Sequence, residues 1–335
     1  ANGEATLANV TVANASAGVL VRGTLSASDV VFNDAYRGLS LMGGTAILDG
    51  FEAHRMDYEA VYVESGSLNL SDGLADEVAV GLANHGTSHV EDFAVKEAGV
   101  GVQALGGSLT LSGLSVENAS VGLATVSGAS STVSQFNGHG MPLAIDAGDA
   151  DDFSVSSGIL YGERFMVGQG TSQMHISDVD FFSTSADEMR PAVDVRCEGQ
   201  CTLEHTDIHS PTVGVSWSGS GTSLMDNVSV YAVEQAVEAS GSGHAVWTNL
   251  TVNASNTGLS VQTPTSALTD VYVELTANQA IGIDLLGGQH DWSDVVVEKA
   301  FTSTDQTSIG LNAWYSDLTL DQFTSRNVST GMVLE

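Results

Sequence analysis

The chain has 335 residues, with 41 Asp and Glu against nine Lys and Arg and a formal net charge of -32. Because its carboxylates are almost unopposed, such a surface repels nucleic acids and anionic membranes, so no nucleic-acid partner is expected. Hydrophobic residues make up 42% of the chain and recur at regular spacing, which argues against a disordered protein. No apolar run reaches the length of a membrane-spanning helix.

One short sequence motif recurs along almost the whole chain. An alternating apolar run is followed by a turn residue, a second apolar run and a Gly-rich turn, as in residues 6–12, 110–116 and 246–252. The second run often follows a glycine, as at Gly18 and Gly258. The unit restarts about every 21 to 22 residues, a period that is typical of stacked supersecondary units rather than of one globular core.

Each unit has the composition of short strands separated by turns. Apolar residues alternate with period two, and Gly, Asn, Asp and Ser punctuate the runs. Three short strands and three turns describe one coil of a right-handed parallel β-helix, so we predict an all-β solenoid of about 15 coils. The whole chain, 1–335, is predicted to be one such domain. Its ends show no capping segment, which indicates either a piece of a longer chain or a subunit that stacks on another copy.

Inward side chains of neighbouring coils are expected to form ladders of like residues. One such ladder is visible as Asn or Asp at the turn before the apolar pair, a position that tolerates unusual dihedrals. Its members are Asn9, Asp29, Asp178, Asn227, Asn249, Asp270 and Asp294. Two tryptophans, Trp247 and Trp292, also fall at inward positions and are expected in the core.

The repeat resembles the pectate-lyase-like superfamily of right-handed parallel β-helix proteins over essentially the whole chain. This resemblance implies the fold, and by analogy alone it suggests a polysaccharide-active enzyme or a carbohydrate-binding module. The polygalacturonase branch uses Asn-Thr-Asp, Asp-Asp, Gly-His-Gly and Arg-Ile-Lys in that order. Here Gly138-His139-Gly140 precedes Asp151-Asp152 and the other two motifs are missing, so the motifs favour a protein that is not an enzyme.

The densest local group of acids is Asp149, Asp151 and Asp152. Oxygen ligands of this kind suit a hard cation, so a weak Ca²⁺ site is one interpretation and a solvated acidic loop is the other. Two units exceed the period, with excess residues at 181–191 and 301–308. Loops that project from a solenoid are common places for binding, although neutral variation in length gives the same pattern.

The only two cysteines, Cys197 and Cys201, flank a Glu-Gly-Gln turn. With His205 and His209 they offer four potential zinc ligands at a spacing of four residues. That spacing shares a face only on a helix, whereas this segment has the pattern of a strand. We therefore predict a local disulfide that closes the turn, which fits an oxidising compartment.

Eight Asn-x-Ser/Thr sequons occur in the chain, and part of this excess comes from the Asn ladder. The candidates for N-glycosylation are those in turns, which are expected to be exposed on one side of the solenoid, together with one further site. They are Asn14, Asn118, Asn253, Asn327 and Asn69. The alternative is that Asn simply suits these turns.

These observations favour a secreted or cell-surface structural rod without catalytic activity: a filament subunit, a coat component or an adhesin stalk. Its expected partners are further copies of itself, associated end to end or side by side, and surface glycans. A polysaccharide-active enzyme or glycan-binding module is the alternative, and a viral fibre or spike is a further one. No cofactor is expected except Ca²⁺.

Overall fold

The computed structural model describes residues 3–126, 128–148, 150–184, 190–300 and 307–335. The chain is a parallel β-solenoid of about 14 turns, with 84% of its residues in strands. All described strands pair in parallel, and no helix occurs among the described residues. The predicted all-β solenoid is thereby confirmed. Its residues fall into two compact units, Ala1–Gly162 and Glu163–Glu335, and the proposal of one domain over 1–335 stays a prediction.

Eighteen strands follow one another along the described chain, some of them running through several coils without a break. They are β1 Glu4–Ala13, β2 Val19–Val21, β3 Thr24–Asn33, β4 Leu39–Asn84, β5 Thr87–Ala104, β6 Gly107–Thr125, β7 Ala129–Asp146, β8 Asp152–Ser183, β9 Pro191–Ser210, β10 Val213–Gly219, β11 Thr222–Ala232, β12 Gln235–Ser240, β13 His244–Ala254, β14 Thr257–Gln262, β15 Thr265–Leu275, β16 Ile281–Lys299, β17 Ile309–Arg326 and β18 Thr330–Leu334.

In the first unit, each coil pairs with the next at the predicted period. Thr24 of β3 lies beside Thr45 of β4, and Thr87 of β5 lies beside Ser108 of β6. Alternate side chains point inward and stack into columns, which include the fully buried rings of Phe32 and Phe51 with centroids 5.6 Å apart. The apolar alternation of the sequence therefore becomes a continuous aliphatic and aromatic core.

The second unit uses the same coil and contains the two longer ones. Trp247 and Trp292 are fully buried, as predicted, and Trp292 donates a hydrogen bond of 2.9 Å to Ser266 Oγ. Gln173 pairs with Gln200, and Gln289 pairs with Asp317, so both of the predicted long coils exceed 22 residues. Residues 185–189 and 301–306 of the predicted excess segments lie outside the described residues, whereas Phe181–Ser183 belong to β8 and Phe181 is fully buried, so the first excess segment begins later than predicted.

The Asn and Asp ladder occupies one left-handed backbone position per coil. All seven predicted members have φ between 51° and 54°. This is the region that L-residues avoid and that Asn and Asp tolerate best. Their expected inward direction is wrong, because these side chains are exposed or half-buried. The polar side chain at this position faces solvent, whereas the residue that follows it faces the core, as Val30 and Val228 do.

Small residues form a second column where neighbouring coils approach most closely. At each glycine of this column except Gly331, an added Cβ atom would meet a carbonyl oxygen of the next coil. The column runs through Gly18, Gly38 and Ala60, then Gly81, Gly101, Gly122 and Ala144 in the first unit, and through Gly214 and Ala236, then Gly258, Gly282, Gly310 and Gly331 in the second. The named positions of this column hold only glycine or alanine, so the glycines that lead the second apolar run in the sequence follow from the limited space between coils.

Replacing Gln135 by Asn is expected to stabilise the first unit. Gln135 is an exposed member of the left-handed column with φ 58°. Asn recovers part of the roughly 1–2 kcal/mol that this conformation costs other L-residues, so the gain should be about 0.5 kcal/mol. Thermal unfolding of Gln135→Asn against Gln103→Asn, whose backbone is extended, measures it. An equal shift in both variants would contradict the assignment.

Replacing Gly282 by Ala is expected to destabilise the second unit strongly. The added methyl meets the Gly310 carbonyl and the Val297 side chain, and such overpacking costs about 3 kcal/mol. Gly287→Ala is the matched control, because its methyl meets no atom within 4 Å and only its φ of 67° is unfavourable. The melting temperature should fall much further for Gly282→Ala. A smaller fall than in the control would show that the coils can separate at this column.

Candidate functional site

A group of aromatic and charged side chains lies on the exterior of the second and third coils. Tyr36 and Tyr58 are each 45% exposed, and their rings are nearly parallel, at 15°, with centroids 5.3 Å apart. We define the tyrosine–arginine cluster as these two residues with the charged and aromatic groups bonded to or stacked with them. Its full membership is Asp34, Tyr36, Arg37, Arg55, Tyr58, Glu59 and Tyr62.

Arg37 is held from two directions within the cluster. Its Nε donates a hydrogen bond of 2.5 Å to Glu59 Oε2, and its Nη2 donates one of 3.3 Å to Oε1. The guanidinium carbon lies 4.4 Å from the ring centroid of Tyr62, a cation–π distance. Partial burial disfavours the charged form, but the hydrogen bond and charge of Glu59 outweigh it and raise the pKa of Arg37. The fork is therefore fixed in place and permanently charged.

A second ion pair joins the same two coils on the other side of the stacked tyrosines. Arg55 donates hydrogen bonds of 2.7 and 3.0 Å to the two carboxylate oxygens of Asp34. The hydrogen bond from Arg55 lowers the pKa of Asp34, so the pair is ionised near neutral pH. The earlier coil supplies the arginine of one pair and the carboxylate of the other. The two ion pairs together carry no net charge.

Small residues flank the stacked tyrosines. The Tyr36 amide donates to the Ala15 carbonyl at 3.1 Å, which places Ser16 beside Tyr36 in the preceding coil. Ser16 and Ala17 are exposed and short. The ring face of Tyr36 that points away from Tyr58 therefore has no bulky neighbour in the preceding coil. A flat aromatic face beside fixed polar groups is the usual means of recognising an uncharged sugar ring, whose C–H bonds meet the negative face of the aromatic ring.

Sequence reasoning missed this cluster, although the sequence carries a signal for it. Tyr36-Arg37 and Tyr58-Glu59 are separated by 22 residues, one period of the repeat. Exterior residues one period apart become neighbours in a stacked coil, so two aromatic residues and two opposite charges at this spacing predict contact.

A second exterior stack lies in the second unit. Phe182, His209 and Tyr231 are nearly parallel, with successive ring centroids 4.7 and 4.6 Å apart. His209 is thus sandwiched between two aromatic rings.

Cys197 and Cys201 lie at disulfide distance with Cα atoms 6.0 Å apart, as the sequence predicted. Because both sulfurs are used in that bond, the alternative of a zinc site with His205 and His209 is not supported.

The predicted calcium ligands are placed only in part. Asp151 and Asp152 are exposed at the start of β8, and Asp149 lies outside the described residues. Within the residues that the structure describes, no group of three His, Cys, Asp or Glu converges on a common point. The Ca²⁺ site stays a prediction.

His139 of the Gly-His-Gly sequence lies 3.4 Å from Glu117 on the exterior of the preceding coil.

The candidate glycosylation sites lie on the exterior of their units. Asn14, Asn69, Asn118 and Asn327 are exposed, and Asn253 is half-buried. Asn14, Asn118 and Asn327 adopt left-handed backbone conformations, five residues after the ladder position of their coils, whereas Asn253 comes four residues after it. Three of the four turn sequons thus occupy the same position of the coil, and their glycosylation stays a prediction.

No family model, curated protein or solved structure matches this chain. The structure establishes a parallel β-solenoid, and the resemblance to the pectate-lyase-like superfamily rests on the repeat pattern alone. None of the described residues belongs to a helix of membrane-spanning length and apolarity.

The side chain of His290 is a titratable group buried in the second unit. His290 is 3% exposed. Its Nδ1 lies 2.8 Å from Ser266 Oγ, and its Nε2 lies 2.5 Å from the Gly287 carbonyl oxygen. Since a carbonyl only accepts, Nε2 carries the proton and Nδ1 accepts from Ser266. Burial lowers the pKa of His290, although the Gly287 carbonyl opposes this. The ring is therefore neutral in the folded protein.

His290 should make folding stability depend on pH. Its folded pKa lies below the unfolded value of about 6.5, so its contribution is complete above that pH and is lost as the pH falls. His290→Gln keeps a donor for Gly287 but does not titrate. The difference in melting temperature between the wild type and this variant should shrink from pH 7.5 to about pH 5. Parallel pH profiles for the two proteins would contradict this prediction.

Proposed function

We propose that this chain is a non-catalytic extracellular structural protein that serves as a filament subunit, a coat component or an adhesin stalk. One observation carries the proposal: more than half of the nine basic side chains pair with a carboxylate of a neighbouring coil. Among the described residues, five cationic side chains pair with a carboxylate 21 to 30 residues away. The pairs are Arg37–Glu59, Arg55–Asp34, Lys96–Glu117, Arg164–Asp194 and Arg326–Glu298.

These pairs support a role in which the stack of coils is itself the functional structure. Each pair joins two coils, and at the surface an isolated pair contributes less than about 1 kcal/mol. Their repetition along a solenoid adds to the nearest-neighbour terms that stabilise each coil interface. The Phe182–His209–Tyr231 stack acts in the same way, because its ring faces contact one another.

An extracellular location is supported by the disulfide-distance cysteines and by the exposed sequons. A net charge of -32 keeps such a surface soluble and repels anionic polymers. Self-association through the solenoid edges and membership of the pectate-lyase-like superfamily are further parts of the proposal.

Carbohydrate recognition is the second candidate function, and the tyrosine–arginine cluster is the observation that favours it. Its two exposed rings and its fixed guanidinium offer stacking and hydrogen bonding without net charge. That combination suits a neutral sugar better than an acidic one in a chain of this charge.

We expect the purified protein to form assemblies larger than its 34.5 kDa chain and to release no product from polysaccharides. Sedimentation velocity and negative-stain imaging over a range of concentrations, with and without Ca²⁺, measure assembly. A reducing-sugar assay on neutral and acidic polysaccharides measures turnover. Saturable turnover would contradict the structural role, and a monomer under all conditions would contradict self-association.

A further inference from the structure

The five candidate sequons differ in how their acceptor groups are engaged. The side-chain amides of Asn118, Asn253 and Asn327 donate to Glu97, Glu274 and Glu298 at 2.8, 2.8 and 3.4 Å. The sequon of Asn69 has its hydroxyl engaged instead, because Ser71 Oγ donates to Asp49 at 3.1 Å and lies 3.3 Å from the Leu48 carbonyl. An enzyme would have to break these bonds to present the sequon of a folded coil.

Asn14 is different from the other four. Its side chain and that of Ser16 are exposed, and neither makes a hydrogen bond with any residue that the structure describes. The backbone is nevertheless fixed, because the Asn14 amide donates to the Asn33 carbonyl at 3.0 Å and φ is 54°. Asn14 therefore presents a free amide and a free hydroxyl on an ordered turn.

The same turn borders the open face of Tyr36. Ser16 lies beside Tyr36 in the adjacent coil, and Asn14 lies two residues earlier in the same segment. Two residues span at most about 7 Å. With neighbouring coils about 4.8 Å apart, Asn14 Cα therefore lies within roughly 9 Å of Tyr36 Cα. A sugar attached to Asn14 thus reaches the ring across Ala15 and Ser16, which are too short to block it.

We propose that Asn14 carries an N-linked glycan and that its first sugar packs on the exposed ring of Tyr36. In the transfer, a bond forms between Asn14 Nδ2 and C1 of the sugar. The bond between C1 and the phosphate of a lipid-linked oligosaccharide donor breaks, the lipid phosphate leaves, and the amide loses one proton to a base. The inference rests on the extracellular location in the proposed function, and it assigns a covalent occupant to the face that the second candidate function would give to a free polysaccharide.

The first test is transfer to the folded protein. Unglycosylated protein from a bacterial cytoplasm is incubated with an oligosaccharyltransferase and its lipid-linked donor, and each sequon is scored by peptide mass. A synthetic peptide of residues 10–20 confirms that the enzyme accepts this sequence. We expect modification of Asn14 above all four other sites, and its loss in Ser16→Ala. Absence of modification at Asn14 in the folded protein, with the peptide modified, overturns the proposal.

The second test concerns the contact with the ring. In the glycosylated protein, nuclear magnetic resonance should show an upfield ring-current shift of protons on the first sugar. Tyr36→Leu keeps the sequon and an apolar side chain, so occupancy should persist while the shift disappears. Tyr231→Leu, an exposed tyrosine of the second unit, is the matched control and should leave the shift unchanged. A shift that survives Tyr36→Leu, or that is absent in the wild type, overturns the contact.

The outcomes separate this inference from the proposed function. If the unglycosylated protein binds a soluble neutral β-glucan in a Tyr36-dependent manner while Asn14 stays unmodified, the face belongs to an external carbohydrate and the proposal fails. Polysaccharide turnover would instead contradict the proposed structural role. It would not affect the test of Asn14, which depends only on the peptide masses and the resonance shifts.

Discussion

Main-chain hydrogen bonding between residues one period apart is the constraint on which the rest of the structure depends. It holds successive coils at the spacing of neighbouring parallel strands, so every position has the equivalent position of the next coil as its closest neighbour. Inward positions then form apolar columns, and outward positions form polar ones. Where two coils approach most closely, as between Gly282 and Gly310, the spacing leaves no room for a side chain. A substitution in one coil consequently changes the packing against the coils on both sides of it.

The sequence predicts those features that repetition imposes on every coil. Alternating apolar residues at a period of about 21 to 22 predict the solenoid, and the recurrent Asn and Asp predict a special backbone position, which the left-handed φ values confirm. The buried positions of Trp247 and Trp292 follow from the same alternation. The direction of the Asn and Asp column was not predictable, because a left-handed residue breaks the alternation that otherwise decides which side chain faces the core.

The candidate site was far less predictable, because it depends on one pair of coils rather than on the repeat. Tyr36 and Tyr58 are exposed, so no hydrophobic pattern marks them, and their contact depends on rotamers that the period does not fix. The same holds for the sequons. Asn14 and Asn118 have the same motif and the same backbone conformation, yet only the amide of Asn118 finds a carboxylate, on Glu97. Differences of this kind arise from the neighbouring coil.

The electrostatics of the chain connect its fold with the proposed glycan. A net charge of -32 makes close approach of any anionic partner unfavourable, and each exposed carboxylate adds to the repulsion between coils. The tyrosine–arginine cluster is a local exception, since Arg37 and Arg55 are neutralised by Glu59 and Asp34. An uncharged sugar on Tyr36 avoids the repulsion that an anionic ligand would meet on this surface. Neutral carbohydrate is thus the class of ligand that we propose for the exterior of the first coils.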